Sequence, residues 1–140
     1  MSVASTVTDF SRKTVNVNDS PTVAIVAGAN LSAAVGKAVK ISSGEVVVCD
    51  SQGERAFGIL VSGVADTEMA SVAVFGRVQA KAGAQIAQGA LVTTAADGDL
   101  EAATSGDYPI GIALEDAAGD GSFFYILLAH AAIVAERRIQ

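Results

Sequence analysis

The chain has 140 residues, of which 51% are hydrophobic, with a formal net charge of −6 and one cysteine. This length is typical of a single domain, and an acidic surface gains nothing from counterion release at phosphate backbones or from contact with anionic lipids, so we expect no nucleic-acid or membrane partner. The lone cysteine excludes an intrachain disulfide. The first residues lack the basic and apolar regions of a signal peptide.

The apolar residues favour strands over helices. The sequence contains 18 Val and 9 Ile but only 7 Leu, and branching at Cβ fits a pleated surface better than a helix. The 27 Ala residues are spread among Gly, Ser, Thr and Val, without a helical stripe. We therefore predict an all-β or mainly β domain. Because small side chains bury little area each, we also expect contacts between copies of the chain.

Residues 1–20 differ in composition from the rest of the chain. They contain no glycine, and Val15 and Val17 alternate with polar residues before Ser20 and Pro21 end the stretch. Two interpretations stay open at this point, an extended N-terminal arm and an ordinary first strand. We take 1–20 as an arm and 21–140 as one compact domain.

From Thr22 onward, short apolar runs alternate with turn-rich segments such as "SSGE", "AADGD" and "AAGDGS". Strands at this spacing are typical of a sandwich or a small barrel. The pattern leaves room for at most one or two short helices; in "ANLSAAVGKAV", Asn30 or Ser32 could cap a helix that Gly36 ends. The apolar runs are Thr22–Ala27, Ala38–Ile41, Val46–Cys49, Ala56–Gly63, Ser71–Ala82, Ala90–Thr94, Ile110–Glu115 and Ser122–Leu128.

A weak internal repeat accompanies this pattern. Gly58 in "AFGIL" and Gly111 in "PIGIA" are 53 residues apart, and several apolar positions recur at the same offset. Upstream, "AGAN" matches "AGAQ" if the first copy holds two extra residues. The sequence thus predicts two similar β-units, 27–81 and 82–135, with Gly58 and Gly111 as backbone positions where a strand bends or another strand passes closely.

No catalytic, cofactor or metal site emerges from the sequence. A Cys49–His130 dyad is disfavoured because Cys49 sits in the apolar run "VVVCDS" without a basic neighbour. One cysteine and one histidine do not make a zinc site, and the glycines before Lys37 lack the spacing of a phosphate-binding loop. The carboxylates of "ADGDL" and "EDAAGDG" are explained by turn chemistry. We therefore expect a protein that is not an enzyme and has no cofactor.

The segments "AFGIL", "VAVFGRVQAKAGAQIAQGALV" and "PIGIALEDAAGDGSFFYILL" resemble the small capsid decoration, or cement, proteins of tailed bacteriophages, from about Val35 to Leu128. The resemblance implies a compact β-barrel or β-tulip core, assembled as a homotrimer on the outer surface of the expanded head. The implied partner is the major capsid protein, and the implied role is to stabilise the shell against internal DNA pressure. Assembly would take place in the host cytoplasm.

The resemblance also implies that an N-terminal arm contacts the capsid. In residues 1–20, apolar side chains could pair or pack there, and two basic side chains could meet acidic capsid surface. The candidates for capsid contact are Val7, Phe10, Arg12, Lys13, Val15 and Val17. The tail "AHAAIVAERRIQ" departs from the pattern, and the sequence assigns it no role.

A second function is compatible with a small β-barrel. The chain could be a ligand-binding or carbohydrate-binding module of a fibre or adhesin, which would present aromatic rings in a concave site. The seven aromatic residues fall mostly within predicted strands, which favours the decoration protein.

Overall fold

The protein is all-β, as the sequence predicts. A computed structural model describes residues 21–129, so the predicted arm, its six candidate contact residues and the tail after Ala129 lie outside the described residues. Within that range there are ten strands and no helix. They are β1 (Thr22–Val26), β2 (Ala38–Ser42), β3 (Glu45–Val48), β4 (Gly58–Leu60), β5 (Met69–Ala73), β6 (Gly76–Lys81), β7 (Leu91–Thr94), β8 (Leu100–Ala102), β9 (Gly111–Ala113) and β10 (Phe123–Leu128).

The strands form two antiparallel five-stranded sheets with the same internal order. The first sheet runs β1-β5-β4-β2-β3 and the second runs β6-β10-β9-β7-β8. Each half of the chain therefore forms one sheet, and the fourth strand of each half is central. The change of sheet falls between Ala73 and Gly76, whereas the sequence places the boundary of its two units between residues 81 and 82.

The two sheets also share the register of their strand pairs. Gly58 of β4 lies opposite Val39 of β2, and Gly111 of β9 lies opposite Val92 of β7. Turn hydrogen bonds recur in the same places. The recurring pairs are Gly28 N to Val46 O (2.8 Å) with Gly83 N to Leu100 O (2.7 Å), and Gly36 N to Leu60 O (2.9 Å) with Gly89 N to Ala113 O (2.8 Å).

Neither sheet closes into a barrel, and this part of the prediction is wrong. The first sheet curls until its edge strands meet, but they share only the parallel bridge between Ala27 and Val46. The second sheet ends in the same way, at the bridge between Ala82 and Leu100. Closure needs a continuous ladder between the first and last strands. One bridge does not provide it, because the chain turns away directly after β1 and β6.

The short helix that the sequence allows in "ANLSAAVGKAV" does not form, and turns take its place. The reason lies in the backbone donors of this segment. Leu31 N donates to Val64 O (2.8 Å) and Gly36 N donates to Leu60 O (2.9 Å), so both bind carbonyl groups far along the chain. The Asn30 side chain accepts from Ser32 N (3.1 Å), which makes a local turn.

Two apolar clusters lie inside the molecule. The smaller one is formed entirely by the first half, around Val39, Leu60 and Val72. The larger one contains the interior of the second sheet, around Phe124 and Ile126, together with residues from the first half. The larger cluster thus joins the two sheets into one core.

Candidate interaction surfaces

Three cross-strand neighbours of the first sheet attach it to the second. Ala38, Ile59 and Ala73 lie opposite one another on β2, β4 and β5. We call them the first-sheet row. All three are fully buried, and they belong to the cluster that fills the interior of the second sheet. The first-sheet row therefore covers the interior of the second sheet.

Backbone hydrogen bonds reinforce this junction at three places. Ala38 N donates to Gly98 O (2.7 Å), Gly53 N donates to Thr94 O (2.8 Å), and Lys81 N donates to Gly36 O (2.8 Å). These bonds satisfy backbone groups that would otherwise be buried without partners. The two sheets are thus fixed to each other by main-chain contacts as well as by apolar packing.

A charged pair crosses the same junction. Lys37 Nζ donates to Asp97 O (2.9 Å) and lies 3.4 Å from Asp99 Oδ1. Asp99 is only 4% exposed, and its Oδ1 has no hydrogen-bond partner. The ammonium group of Lys37 is therefore the charge that compensates this buried carboxylate.

A second charged group lies on the surface of the first sheet. Lys40 Nζ contacts Asp50 Oδ1 (2.7 Å) and Glu54 Oε1 (3.1 Å). The hydrogen bond with Lys40 lowers the pKa of Asp50, and the same bond raises the pKa of Lys40. Glu54 Oε2 also accepts from the backbone N of Asp50 and Ser51. This group shapes the turn that follows β3.

Cys49 lies in the shared core with no exposed surface. Burial raises the pKa of its thiol to about 12, with a smaller contribution from Glu54. A thiol that stays protonated is a poor nucleophile. His130, the other member of the conceivable dyad, lies outside the described residues.

The carboxylates of the two acidic turns act on the backbone. Asp97 Oδ1 accepts from Asp99 N (3.1 Å), Asp116 Oδ1 accepts from Gln88 N (2.8 Å), and Glu115 Oε2 accepts from Tyr125 N (3.0 Å). Across residues 21–129, no three His, Cys, Asp or Glu side chains are grouped so that they could hold a metal ion. The same range has no helix long and apolar enough to cross a membrane.

Gly58 and Gly111 begin β4 and β9, the corresponding strands of the two sheets. A Cβ at Gly58 would overlap the carbonyl oxygen of Ala73, and a Cβ at Gly111 would overlap that of Leu127. Both positions are therefore places where the neighbouring backbone approaches closely. Both residues are also buried.

The outward side of the second sheet carries an apolar row that no other sheet covers within residues 21–129. Leu91, Ile112 and Leu127 lie opposite one another on β7, β9 and β10. We call them the second-sheet row. Leu91 and Ile112 are half-buried, and Leu127 is 37% exposed. Beside the row, the guanidinium of Arg77 stacks on the ring of Tyr125, 3.9 Å from its centroid.

Sequence reasoning missed both the Lys37–Asp99 pair and the second-sheet row. Lys37 and Asp99 belong to different sheets, and nothing in their local sequences indicates that they meet. The second-sheet row has a weak signal, since Ile112 follows Gly111 as Ile59 follows Gly58. The sequence does not show that one of these isoleucines is buried and the other is not.

The chain resembles known proteins both in its fold and in its sequence family. No curated protein matches the chain. Among solved structures, the head fibre gp8.5 N base of bacteriophage phi29 has a similar fold, with a TM-score of 0.60 and 18% sequence identity over 79% of this chain and 94% of that one. A family model described as phage cement protein matches residues 14–128. The chain therefore belongs to the phage cement protein family, as the sequence resemblance indicates, and is a structural phage protein associated with the capsid.

Proposed function

We propose that this protein binds the outer surface of the expanded phage head and stabilises the shell against the pressure of the packaged DNA. Membership of the cement family is the observation that carries the proposal. The proposed partner is the major capsid protein. The protein would act as a homotrimer that joins the shell after expansion, in the host cytoplasm, and remains on the virion.

The described part of the chain fits a role in which a rigid body is held on a surface. Two sheets share one core, and main-chain hydrogen bonds and a charged pair fix them to each other. The thiol is buried, and the side chains of Glu115 and Asp116 accept hydrogen bonds from the backbone. These features favour a protein that works through its outer surface, in keeping with a chain that is not an enzyme.

Residues 1–20 are proposed as the capsid-binding arm. The segment leads directly into β1, which is an edge strand of the first sheet. The family match begins at residue 14, so it includes Val15 and Val17 of the proposed contacts. An extended arm could add a strand to an exposed sheet edge of the capsid, where main-chain hydrogen bonds supply affinity.

A binding assay with purified shells tests the proposal. The full chain is mixed with expanded shells, with compact procapsids, and with no shells, and each mixture is separated by sedimentation. We expect saturable binding to expanded shells only. Deletion of residues 1–20 should abolish that binding while the circular dichroism spectrum stays that of a β-protein. Unchanged binding by the truncated chain would show that residues 1–20 are not the capsid-binding segment. Equal binding to procapsids would show that the protein does not distinguish expanded shells from compact ones.

A further inference from the structure

We propose that copies of this chain bind one another head-to-tail, and that the second-sheet row of one copy covers the partly exposed opening at one end of the first sheet's interior in the next copy. This contact would repeat between chains the contact that already joins the two sheets within one chain. The inference deepens the self-association in the proposed function and rests on that part of it.

The first argument comes from the two apolar rows. Matching register makes Leu91, Ile112 and Leu127 the counterparts of Ala38, Ile59 and Ala73. The first-sheet row is fully buried against the second sheet, whereas the second-sheet row is half-buried or exposed. The side chains of the exposed row are as large or larger. The chain thus carries the same docking face on both sheets. The copy on the first sheet packs inside the chain, and the copy on the second sheet does not.

The second argument comes from the surface that such a row would cover. In the second sheet, that surface includes Val78, Thr94 and Ile110, which are all buried. The same register positions of the first sheet hold Val23, Ile41 and Phe57. We call these three residues the first-sheet mouth. Val23 is 40% exposed, Ile41 is 44% exposed, and Phe57 is half-buried. The face that accepts an apolar row is therefore also present in both sheets. In the second sheet the first-sheet row covers it, whereas in the first sheet it is partly exposed.

Three glycines at the junction give a third, independent argument. Gly36, Gly53 and Gly98 are buried, and a Cβ added to any of them would meet atoms of the opposite half of the chain. Their counterparts at the same turns are Gly89, Gly106 and Gly44. All three counterparts are exposed, and no atom of the described part of the chain lies within 4 Å of a Cβ added to them. Among residues 21–129, nothing fills at these three turns the space that the opposite half of the chain fills at Gly36, Gly53 and Gly98.

A second copy of the chain is the occupant that these observations favour. In the described part of the chain, the second-sheet row and the first-sheet mouth are both partly exposed, and each matches a face that already has such a partner inside the chain. A contact between two different faces is heterologous, so it must either close into a ring or continue as a filament. We infer a closed ring, with which the expected homotrimer is compatible.

Two variants with a matched control test the inference on the full-length chain. Leu127→Lys places a charge in the second-sheet row, and Ile41→Glu places one in the first-sheet mouth. Leu114→Lys is the control, because Leu114 is 38% exposed, much like Leu127, and its counterpart Val61 is also 38% exposed. Neither junction therefore covers that position. Circular dichroism checks that all three variants fold.

Sedimentation velocity measures the mass of each protein over a wide concentration range. We expect the wild type and Leu114→Lys to form one closed multiple of 14.0 kDa, and each of the other two variants to remain at the mass of one chain. Mixing the two monomeric variants should give a complex of two chains, because Ile41→Glu still has an intact row and Leu127→Lys an intact mouth. This gain of association also excludes misfolding as the cause of the loss.

Several outcomes would overturn the inference. For the wild type, these are a mass of one chain or an open-ended series of masses. For the variants, they are association of Leu127→Lys or Ile41→Glu like that of the wild type, and an equal loss of association in Leu114→Lys. For the mixture of the two variants, it is a mass that stays that of one chain. A monomeric wild type that still binds expanded shells would overturn the head-to-tail contact and leave shell binding intact. A ring that does not bind expanded shells would overturn shell binding and leave the head-to-tail contact intact.

Discussion

Gly58 and Gly111 occupy the same position in two sheets. Each begins the fourth strand of its half, lies opposite a valine of the second strand, and packs against a backbone carbonyl of the fifth, that of Ala73 or Leu127. A side chain at either position would push the fourth and fifth strands apart. The close packing of the fourth and fifth strands of each half therefore requires a residue without a Cβ.

Alanine substitution tests this dependence. Gly58→Ala and Gly111→Ala should each lower the free energy of unfolding by about 1–3 kcal/mol, the usual cost of overpacking a core. Gly119→Ala is the control, since a Cβ there meets no atom within 4 Å, and it should change stability by less than about 0.5 kcal/mol. Urea denaturation followed by circular dichroism measures all three. Equal stability of the three variants would contradict the close approach.

The buried carboxylate of Asp99 makes Lys37 important for stability. Lys37→Met should lower the free energy of unfolding by about 1–3 kcal/mol, because it leaves a buried charge without compensation. Lys37→Met combined with Asp99→Asn should recover part of the loss. Lys40→Met is the comparison, and its effect should be smaller because Asp50 is exposed to solvent. A larger loss for Lys40→Met in urea denaturation would show that the charge at the junction matters less.

The thiol of Cys49 predicts a loss of stability at alkaline pH. Its pKa is about 12 in the folded protein against an ordinary 9.0, so below pH 9 both states are protonated and the thiol has no effect. Between pH 9 and about 12 the unfolded chain loses the proton first, and stability should fall by up to about 1.4 kcal/mol per pH unit.

Other groups also titrate in this range, so Cys49→Ala serves as the reference. Its free energy of unfolding should fall less steeply with pH than that of the wild type, whatever the cost of the substitution at neutral pH. Parallel curves for the two proteins would contradict the raised pKa. Alkylation by iodoacetamide gives a second measurement, and we expect the native thiol to react far more slowly than the unfolded one.

The basic residues of the proposed arm should contribute to shell binding through charge. Replacing Arg12 and Lys13 with serine should weaken binding to expanded shells and reduce its dependence on salt, because exposed charges are screened as ionic strength rises. Replacing Thr6 and Thr8 with alanine is the matched control in the same segment. Shell sedimentation at low and high salt measures both. An equal effect of the two double substitutions would show that the charges have no specific role.

The strands could be predicted because their residue types have a clear preference for extended backbone. Val, Ile and Thr dominate segments such as "TVAIV" and "EVVV", and glycine marks the turns between them, so the all-β class follows from local preference. Local preference was misleading in the segment Ala29–Val39, where the Ala residues favour a helix and Asn30 or Ser32 could cap it. There, bonds from Leu31 and Gly36 to distant carbonyls outcompete the helical pattern.

The open sheets and the candidate surfaces depend on contacts that local sequence does not encode. "SVAVFGRVQA" is one apolar run in the sequence, yet the chain leaves one sheet and enters the other at Val74 and Phe75. Ile59 and Ile112 sit in similar surroundings in the sequence, but the first is buried by the other sheet and the second faces outward. Only the packing of the two sheets distinguishes them.

Cryo-microscopy of decorated shells tests the central claim most directly. Expanded shells lacking this protein are imaged with and without the purified full-length chain. Binding to the head predicts ordered extra density on the outer surface that fits the two-sheet body, with further density leading from residue 21 to the capsid. Shells whose outer surface is unchanged at saturating protein would contradict the claim.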